Sequence, residues 1–140
     1  MPEPQVIAVR HAKTDVAGRC VGRTDVEPLQ SPTDAAQVLN ASPEVARLAT
    51  SCVVWTSPLI RCRGLAEVLA HPRSPRVDER LLEADFGSWE GRSWRDIETS
   101  EPAAMTRWME RWQMEGPPGG ESAAALEARV RRRSPEHADR

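Results

Sequence analysis

The sequence predicts an α/β fold with a mostly parallel sheet, and three observations carry that prediction. Val6-Ile7-Ala8-Val9 is a short continuous apolar run rich in β-branched residues, the pattern of a parallel strand buried on both faces. Cys52-Val53-Val54-Trp55 is a second run of the same kind. Around them lie segments whose apolar residues recur at helical spacing behind Ser and Pro start signals. With 140 residues, the chain is long enough for one domain with one substantial core.

The first run ends abruptly in Arg10-His11, and the carboxyl end of an early buried strand is where an open α/β sheet places its ligand. An imidazole can attack phosphorus, and a guanidinium can hold phosphoryl oxygens in a bidentate fork. Lys13 to Gln30 has few apolar residues and reads as a loop. Its Arg19, Cys20, Gly22, Arg23 and Asp25 are candidates for a polar rim around a ligand. Pro32-Thr33-Asp34 opens a helix with Ala35, Ala36, Val38 and Leu39 near one face. Ser42-Pro43 opens another, with Val45, Ala46, Leu48 and Ala49 turned inward.

After the second strand, Ser57 reads as a helix cap and Pro58 as the first helical residue. Leu59, Cys62, Leu65, Ala66 and Leu69 then fall at helical spacing. Arg61 lies in the first turn, where a cation opposes the helix dipole and so favours an anion nearby. Residues 71–80 read as a loop with a short edge strand around Arg76 and Val77. The stretch 81–91 sets Glu83, Asp85 and Glu90 among the anchors Leu82, Phe86 and Trp89. Burial beside apolar groups would raise the pKa of one of these carboxyls and make it a proton donor; the residues themselves leave open which one.

Trp94 to Glu98 predicts a helical turn or two, and Pro102 starts a further helix. Its Met105, Trp108, Met109 and Trp112 make one apolar stripe suited to core or lid packing. Gly116-Pro117-Pro118-Gly119-Gly120 breaks the chain, and Met114 to Ser122 is a candidate mobile flap. Ser122 caps a last helix through Ala125, Leu126 and Val130. From Arg131 onward no core period remains, so residues 1–130 are expected to form the domain and 131–140 a disordered Arg-rich tail.

The net charge is -2, which argues against bulk affinity for nucleic acid or an anionic membrane. Arg129, Arg131, Arg132, Arg133 and Arg140 nonetheless make the end basic while the remainder is acidic. Cys20, Cys52 and Cys62 have no metal-ligand spacing and read as reduced thiols, the latter two in the core. No apolar run is long enough to span a bilayer, and the expected location is cytoplasmic. With one Phe and no Tyr, the five Trp carry nearly all the aromatic packing.

Several segments together resemble the histidine phosphatase superfamily, the phosphoglycerate mutase-like, branch-1 family. Arg10-His11-Ala12-Lys13-Thr14 resembles its Arg-His-Gly-x-Thr signature, with Ala12 where Gly is usual. Thr56-Ser57-Pro58-Leu59-Ile60-Arg61 resembles its Ser-Pro-Leu-x-Arg block. Leu82 to Gly91 resembles its acid-bearing block, and Pro118-Gly119-Gly120-Glu121-Ser122 its Gly-Gly-Glu-Ser element. The block from Gly18 to Leu29 is most similar to the α-ribazole phosphatases of cobalamin biosynthesis.

The resemblance implies a three-layer α/β/α fold and a phosphomonoesterase that needs no metal or cofactor and acts on a small phosphorylated metabolite. It implies His11 as the nucleophile that becomes phosphohistidine, Arg10 and Arg61 as phosphate clamps, and Glu83 as the general acid. Thr14, Arg19, Cys20, Gly22 and Arg23 follow as second-rank phosphate or substrate contacts. The family's further histidine, in a Ser-His-Gly element after a late strand, has no counterpart here. His71 lies in a Pro-rich loop and His137 in the Arg-rich tail.

The expectation is therefore a family domain lacking its final strand and helix, with low stability and little turnover. One preorganised donor is typically worth about 10²–10³ in rate. A broad-specificity phosphatase and a phosphate-binding remnant without turnover stand as alternatives. Phosphoglycerate mutase activity is disfavoured by the compact loop between Thr14 and Gln30.

Overall fold

The computed structural model describes residues 5–132. In chain order it contains α1 (Pro32–Asn40), α2 (Pro43–Ser51), β1 (Trp55–Thr56), α3 (Ile60–Ala70), β2 (Arg76–Val77), α4 (Trp94–Ser100), α5 (Pro102–Arg111) and α6 (Ala123–Arg131). The α/β class is observed: β1 and β2 pair in parallel, Trp55 opposite Arg76 and Thr56 opposite Val77, with α3 as the crossover. The expected edge strand at Arg76 and Val77 is thus present. The chain divides into two compact units, one of residues up to Asp15 with Asp25–Glu79, the other of Val16–Thr24 with the residues from Arg80 onward.

In the first unit, α1 starts as its sequence dictates. The Ser31 hydroxyl accepts the Asp34 amide at 3.1 Å and Pro32 occupies the first turn. Ser42 stands at the N-cap of α2 without a side-chain capping bond. The core is the meeting of α1 with α3: Ala35, Ala36 and Leu65 are buried, and Ala12, Leu39 and Leu69 pack against them. Small residues on α1 let the two helices approach closely.

Several expectations are corrected in this unit. Residues 6–9 form no strand, and Val6 is 88% exposed. An apolar run creates the propensity for a strand, but a strand exists only where a neighbour hydrogen-bonds to it. Among the described residues no ladder forms along 6–9; the nearest pairing is Leu29 N donating to Lys13 O at 2.8 Å, beside the Thr14–Pro28 bridge. The second run shrinks for the same reason to Trp55–Thr56, leaving Val53 and Trp55 exposed. Arg76 lies over the Trp55 ring at 5.4 Å. Cys52, expected in the core, is the exposed C-cap of α2. Helix α3 begins two residues later than Ser57-Pro58 suggests. The Ser57 hydroxyl accepts the Leu59 amide and Asp25 Oδ1 accepts the Ile60 amide at 2.8 Å, so the Ser-Pro pair forms the lead-in to the helix.

The second unit is built on aromatic packing. Cys20, Trp89, Ile97 and Met105 form its buried centre, with Phe86, Trp94, Ala104 and Trp108 against it. Trp94 and Trp108 stack with centroids 5.8 Å apart, and Trp89 meets Trp108 edge-on at 5.7 Å. The segment 18–20 pairs with 91–94: Cys20 N donates to Arg92 O, Gly91 N to Cys20 O and Trp94 N to Gly18 O. Ser93 caps α4 and Ser122 caps α6 through their hydroxyls.

The stripe on α5 is only half used. Met105 is buried and Trp108 half-buried, while Met109 and Trp112 are exposed, because four residues at that spacing span a wider arc than the aromatic cluster covers. The candidate flap is tied down, with Ser88 N donating to Pro118 O and Glu121 N to Asp85 O. Arg131 is the last residue of α6; the rest of the expected tail from residue 133, with His137, lies outside the described residues.

Candidate active site

In the first unit the Arg10-His11 pair follows the unpaired stretch, Arg10 exposed and His11 half-buried. His11 Nδ1 lies 2.7 Å from the Ala12 carbonyl oxygen. A carbonyl oxygen only accepts, so Nδ1 donates to it, and whenever the ring is uncharged its lone pair stands at Nε2. That is the tautomer a nucleophilic imidazole needs. Packing of Ala12 against the α1–α3 cluster sets this segment beside α3, the helix that carries Arg61. Arg61 is 4% exposed in the first turn of α3, and Thr56 and Ser57 in the lead-in to that helix are buried as well. Its charge adds to an already positive helix N-terminus, an arrangement that suits an anion. Thr14 is half-buried at its bridge to Pro28.

The second unit holds the remaining candidates. Glu83 is exposed, and its Oε1 accepts the Ala84 amide at 3.0 Å. The expected burial beside apolar groups is not met at Glu83. Glu90 accepts five hydrogen bonds, and its pKa is lowered. Burial opposes its ionisation. The Thr24 hydroxyl and the amides of Arg23, Gly22 and Phe86 outweigh that and hold the carboxyl below its usual range. Glu90 is therefore an acceptor that shapes the 22–24 loop.

Gly22 sits where a side chain has no room, since a Cβ there would lie 2.1 Å from the Ala84 carbonyl oxygen. Arg19 donates to Gly91 O at 2.9 Å, which ties its guanidinium to the backbone. Cys20 takes no part in a rim: its side chain is fully buried, and burial, with the Glu90 charge, pushes the thiol up to about 12. It is a small apolar core residue and a poor nucleophile. Arg23 stands 3.9 Å from both Asp85 and Glu121, and its buried Nε has no hydrogen-bond partner among the described residues.

Glu90, a candidate proton donor in the sequence, is instead a loop acceptor, and Glu121 and Arg129 have structural consequence that the sequence did not assign them. Arg129 looked like part of the basic end, yet it pairs with Glu121 through two nitrogens. The signal was present, because 122, 126, 129 and 130 recur on one helix face. An open groove bordered by Trp108, Arg107 and Glu115 contains none of the candidate residues. Among the described residues no three His, Cys, Asp or Glu side chains converge as a metal site would require, and no helix is long and apolar enough to cross a membrane.

Comparison with known proteins adds to this geometry. The family model for the histidine phosphatase superfamily (branch 1) matches residues 6–139. A glucosyl-3-phosphoglycerate phosphatase of Mycobacterium tuberculosis is 32% identical over 133 residues, covering 91% of this chain and 57% of its own. Phosphoserine phosphatase 1 of Hydrogenobacter thermophilus is 29% identical over 131 residues, covering 91% and 61%. The crystal structure of the α-ribazole phosphatase from Shigella flexneri superposes with a TM-score of 0.66 at 26% identity, covering 87% and 61%. The chain spans between 35% and 61% of the length of the curated relatives it matches.

Proposed function

The chain belongs to the histidine phosphatase superfamily, branch 1, and from that premise we propose that it is a phosphomonoesterase working through a phosphohistidine on His11. With membership comes the fold class, three-layer α/β/α and phosphoglycerate mutase-like, to which the β1–α3–β2 unit and the other helices belong. Membership also supports phosphatase-type chemistry. The observation that carries the reading is the His11 ring itself, with Nδ1 committed to Ala12 O and Nε2 left as the nucleophile.

In the proposed first step Nε2 attacks phosphorus in line, a P–N bond forms and the P–O ester bond breaks. The departing oxygen takes its proton from Glu83. In the second step water attacks phosphorus, the P–N bond breaks and the Glu83 carboxylate takes the water's proton. Arg10 and Arg61 neutralise the non-bridging oxygens throughout, which lowers the barrier where charge gathers. Thr14, Arg19 and Arg23 are second-rank contacts to the phosphate or the rest of the substrate. Cys20 and Gly22 contribute by shaping the loop.

The proposed substrate is α-ribazole 5'-phosphate. It is supported by the Gly18–Leu29 block and by likeness to the Shigella flexneri structure. The relatives' names span glucosyl-3-phosphoglycerate and phosphoserine as well, so the test is a panel. Phosphate release is measured from these three esters and from an aryl phosphate, with His11→Ala alongside, and acid-labile phosphate is sought on the protein. The expected result is labelling of His11, fastest release from α-ribazole 5'-phosphate, and a loss of about 10³-fold or more in His11→Ala. Release that His11→Ala leaves unchanged refutes the reading. Faster release from another ester keeps the reaction class and overturns the substrate.

A further inference from the structure

The segment that carries Glu83 is gripped by one side chain from α6. Arg129 Nε donates to Glu121 Oε1 at 2.8 Å, and Nη2 donates to Glu121 Oε2 at 3.0 Å, closing a two-pronged fork. The same guanidinium faces the backbone of the acid segment. Nη1 donates to Arg80 O at 2.6 Å, and Nη2 reaches Leu82 O at 3.0 Å and Glu83 O at 3.5 Å. Glu121 holds the far end of that segment, its amide donating to Asp85 O at 2.7 Å and its Oε2 accepting the Asp85 amide at 3.3 Å. The two side chains are only 11% and 12% exposed.

This arrangement is more than an ion pair. A partly buried pair is weak evidence for net stability, because desolvation offsets the attraction. What the pair supplies is geometry: carbonyls at three positions and both polar backbone groups of Asp85 converge on one rigid fork. Only a guanidinium has donors enough, at fixed angles, to serve a carboxylate and several carbonyls at once. Each partner reinforces the other's charge. The Glu121 hydrogen bonds raise the Arg129 pKa, and the Arg129 hydrogen bonds lower that of Glu121.

We propose that Arg129, braced by Glu121, is a positioning residue for the proton donor: it fixes the backbone from which the Glu83 carboxyl projects. The proposal rests on the reading of Glu83 as general acid. Arg129 contacts the 80–83 carbonyls and Glu121, and it acts through them on the step in which the ester oxygen departs.

The test compares leaving groups. A proton donor matters in proportion to the basicity of the departing oxygen, so an alkyl phosphate needs it and p-nitrophenyl phosphate scarcely does. In Arg129→Lys, kcat/KM, which reports the steps up to departure of the ester oxygen, falls on an alkyl phosphate by about 10- to 100-fold, the range a small misplacement of a reacting group costs. On p-nitrophenyl phosphate it falls by less than about 3-fold. Glu83→Gln shows the same selectivity, and adding Arg129→Lys to it brings no further loss. Amide hydrogen exchange of residues 80–85 speeds up in Arg129→Lys while that of Pro102–Arg111 is unchanged.

Equal losses on both substrates, or unchanged exchange at 80–85, overturn the proposal. If Glu83→Gln shows no leaving-group selectivity, the general-acid reading falls and takes this proposal with it. If Glu83→Gln is selective and Arg129→Lys is not, only the positioning role falls. Should Arg129→Lys fail to fold, Glu121→Gln carries the same comparison. It leaves the guanidinium in place but unbraced, and a selective loss is expected; unchanged selectivity there refutes the proposal.

Discussion

Replacing Glu90 by Gln should unfasten the 22–24 loop, and the cost can be worked from the structure. Five donors converge on the two carboxylate oxygens. Oε1 accepts the amides of Arg23 at 2.8 Å and Phe86 at 3.3 Å. Oε2 accepts the amides of Gly22 and Thr24, both at 3.2 Å, and the Thr24 hydroxyl at 2.6 Å. A Gln amide keeps one oxygen and puts an NH2 where the other stood. In the less damaging orientation the NH2 replaces Oε1 and leaves the Arg23 and Phe86 amides facing a donor.

An enclosed donor without a partner costs about 1–3 kcal/mol, and the bonds that remain lose their charge assistance. The Arg23 and Phe86 amides are two such donors, which sets the total at about 2–6 kcal/mol. That is a large share of the roughly 5–15 kcal/mol that holds a typical domain together. Urea unfolding followed by tryptophan fluorescence measures it, since Trp89 precedes Glu90 and packs in the same cluster as Trp94 and Trp108. Exposed Glu98→Gln on α4 is the control, expected within about 0.5 kcal/mol of the parent. A Glu90→Gln midpoint as close to the parent as that of the control, at unchanged slope, would refute the reasoning.

Two further outcomes follow from the same unit. Gly22→Ala forces a Cβ to within 2.1 Å of the Ala84 carbonyl oxygen, whereas Gly91→Ala meets nothing within 4 Å and strains only its φ of +78°. Gly22→Ala is therefore expected to lower the urea midpoint more than Gly91→Ala, whose left-handed backbone costs about 1–2 kcal/mol; the reverse order contradicts the geometry. Acid should weaken the fold. Glu90 and Glu121 both ionise more readily folded than unfolded, so their contribution is complete above the unfolded carboxyl value of about 4.3 and is lost as pH falls through the lower folded values. Urea midpoints from pH 7 to pH 3 should hold above about pH 5 and drop below it, with a shallower drop in Glu90→Gln. A midpoint that rises on acidification would count against these assignments.

Much of the local structure was legible. Ser122 caps the helix it was read to open, because a cap is a contact between residues three apart and needs no tertiary partner; Ser42 stands at its N-cap without a side-chain bond, and Ser57 lies ahead of its helix. The motif blocks also carry the family resemblance through residue type and order alone. The strands were legible only as propensity. Val6–Val9 reads as strongly as any parallel strand, yet it has no ladder among the described residues, because pairing depends on another segment's backbone. Side-chain chemistry shows the same divide. Three acidic residues within eight positions could be counted along the chain, but which of them would be exposed and which would bind five donors could not.

What the amino-acid order determined unaided is the set of short-range facts: where helices begin, where the chain must turn, and which residue types stand in the phosphatase blocks. The folded arrangement alone decided that Arg129 leaves the basic end to hold the Glu83 segment, that Glu90 shapes a loop, and that Cys20 is a core residue. Those outcomes join residues tens of positions apart. No local pattern encodes them, because they depend on which distant backbone groups reach the same small volume and must share its donors and acceptors.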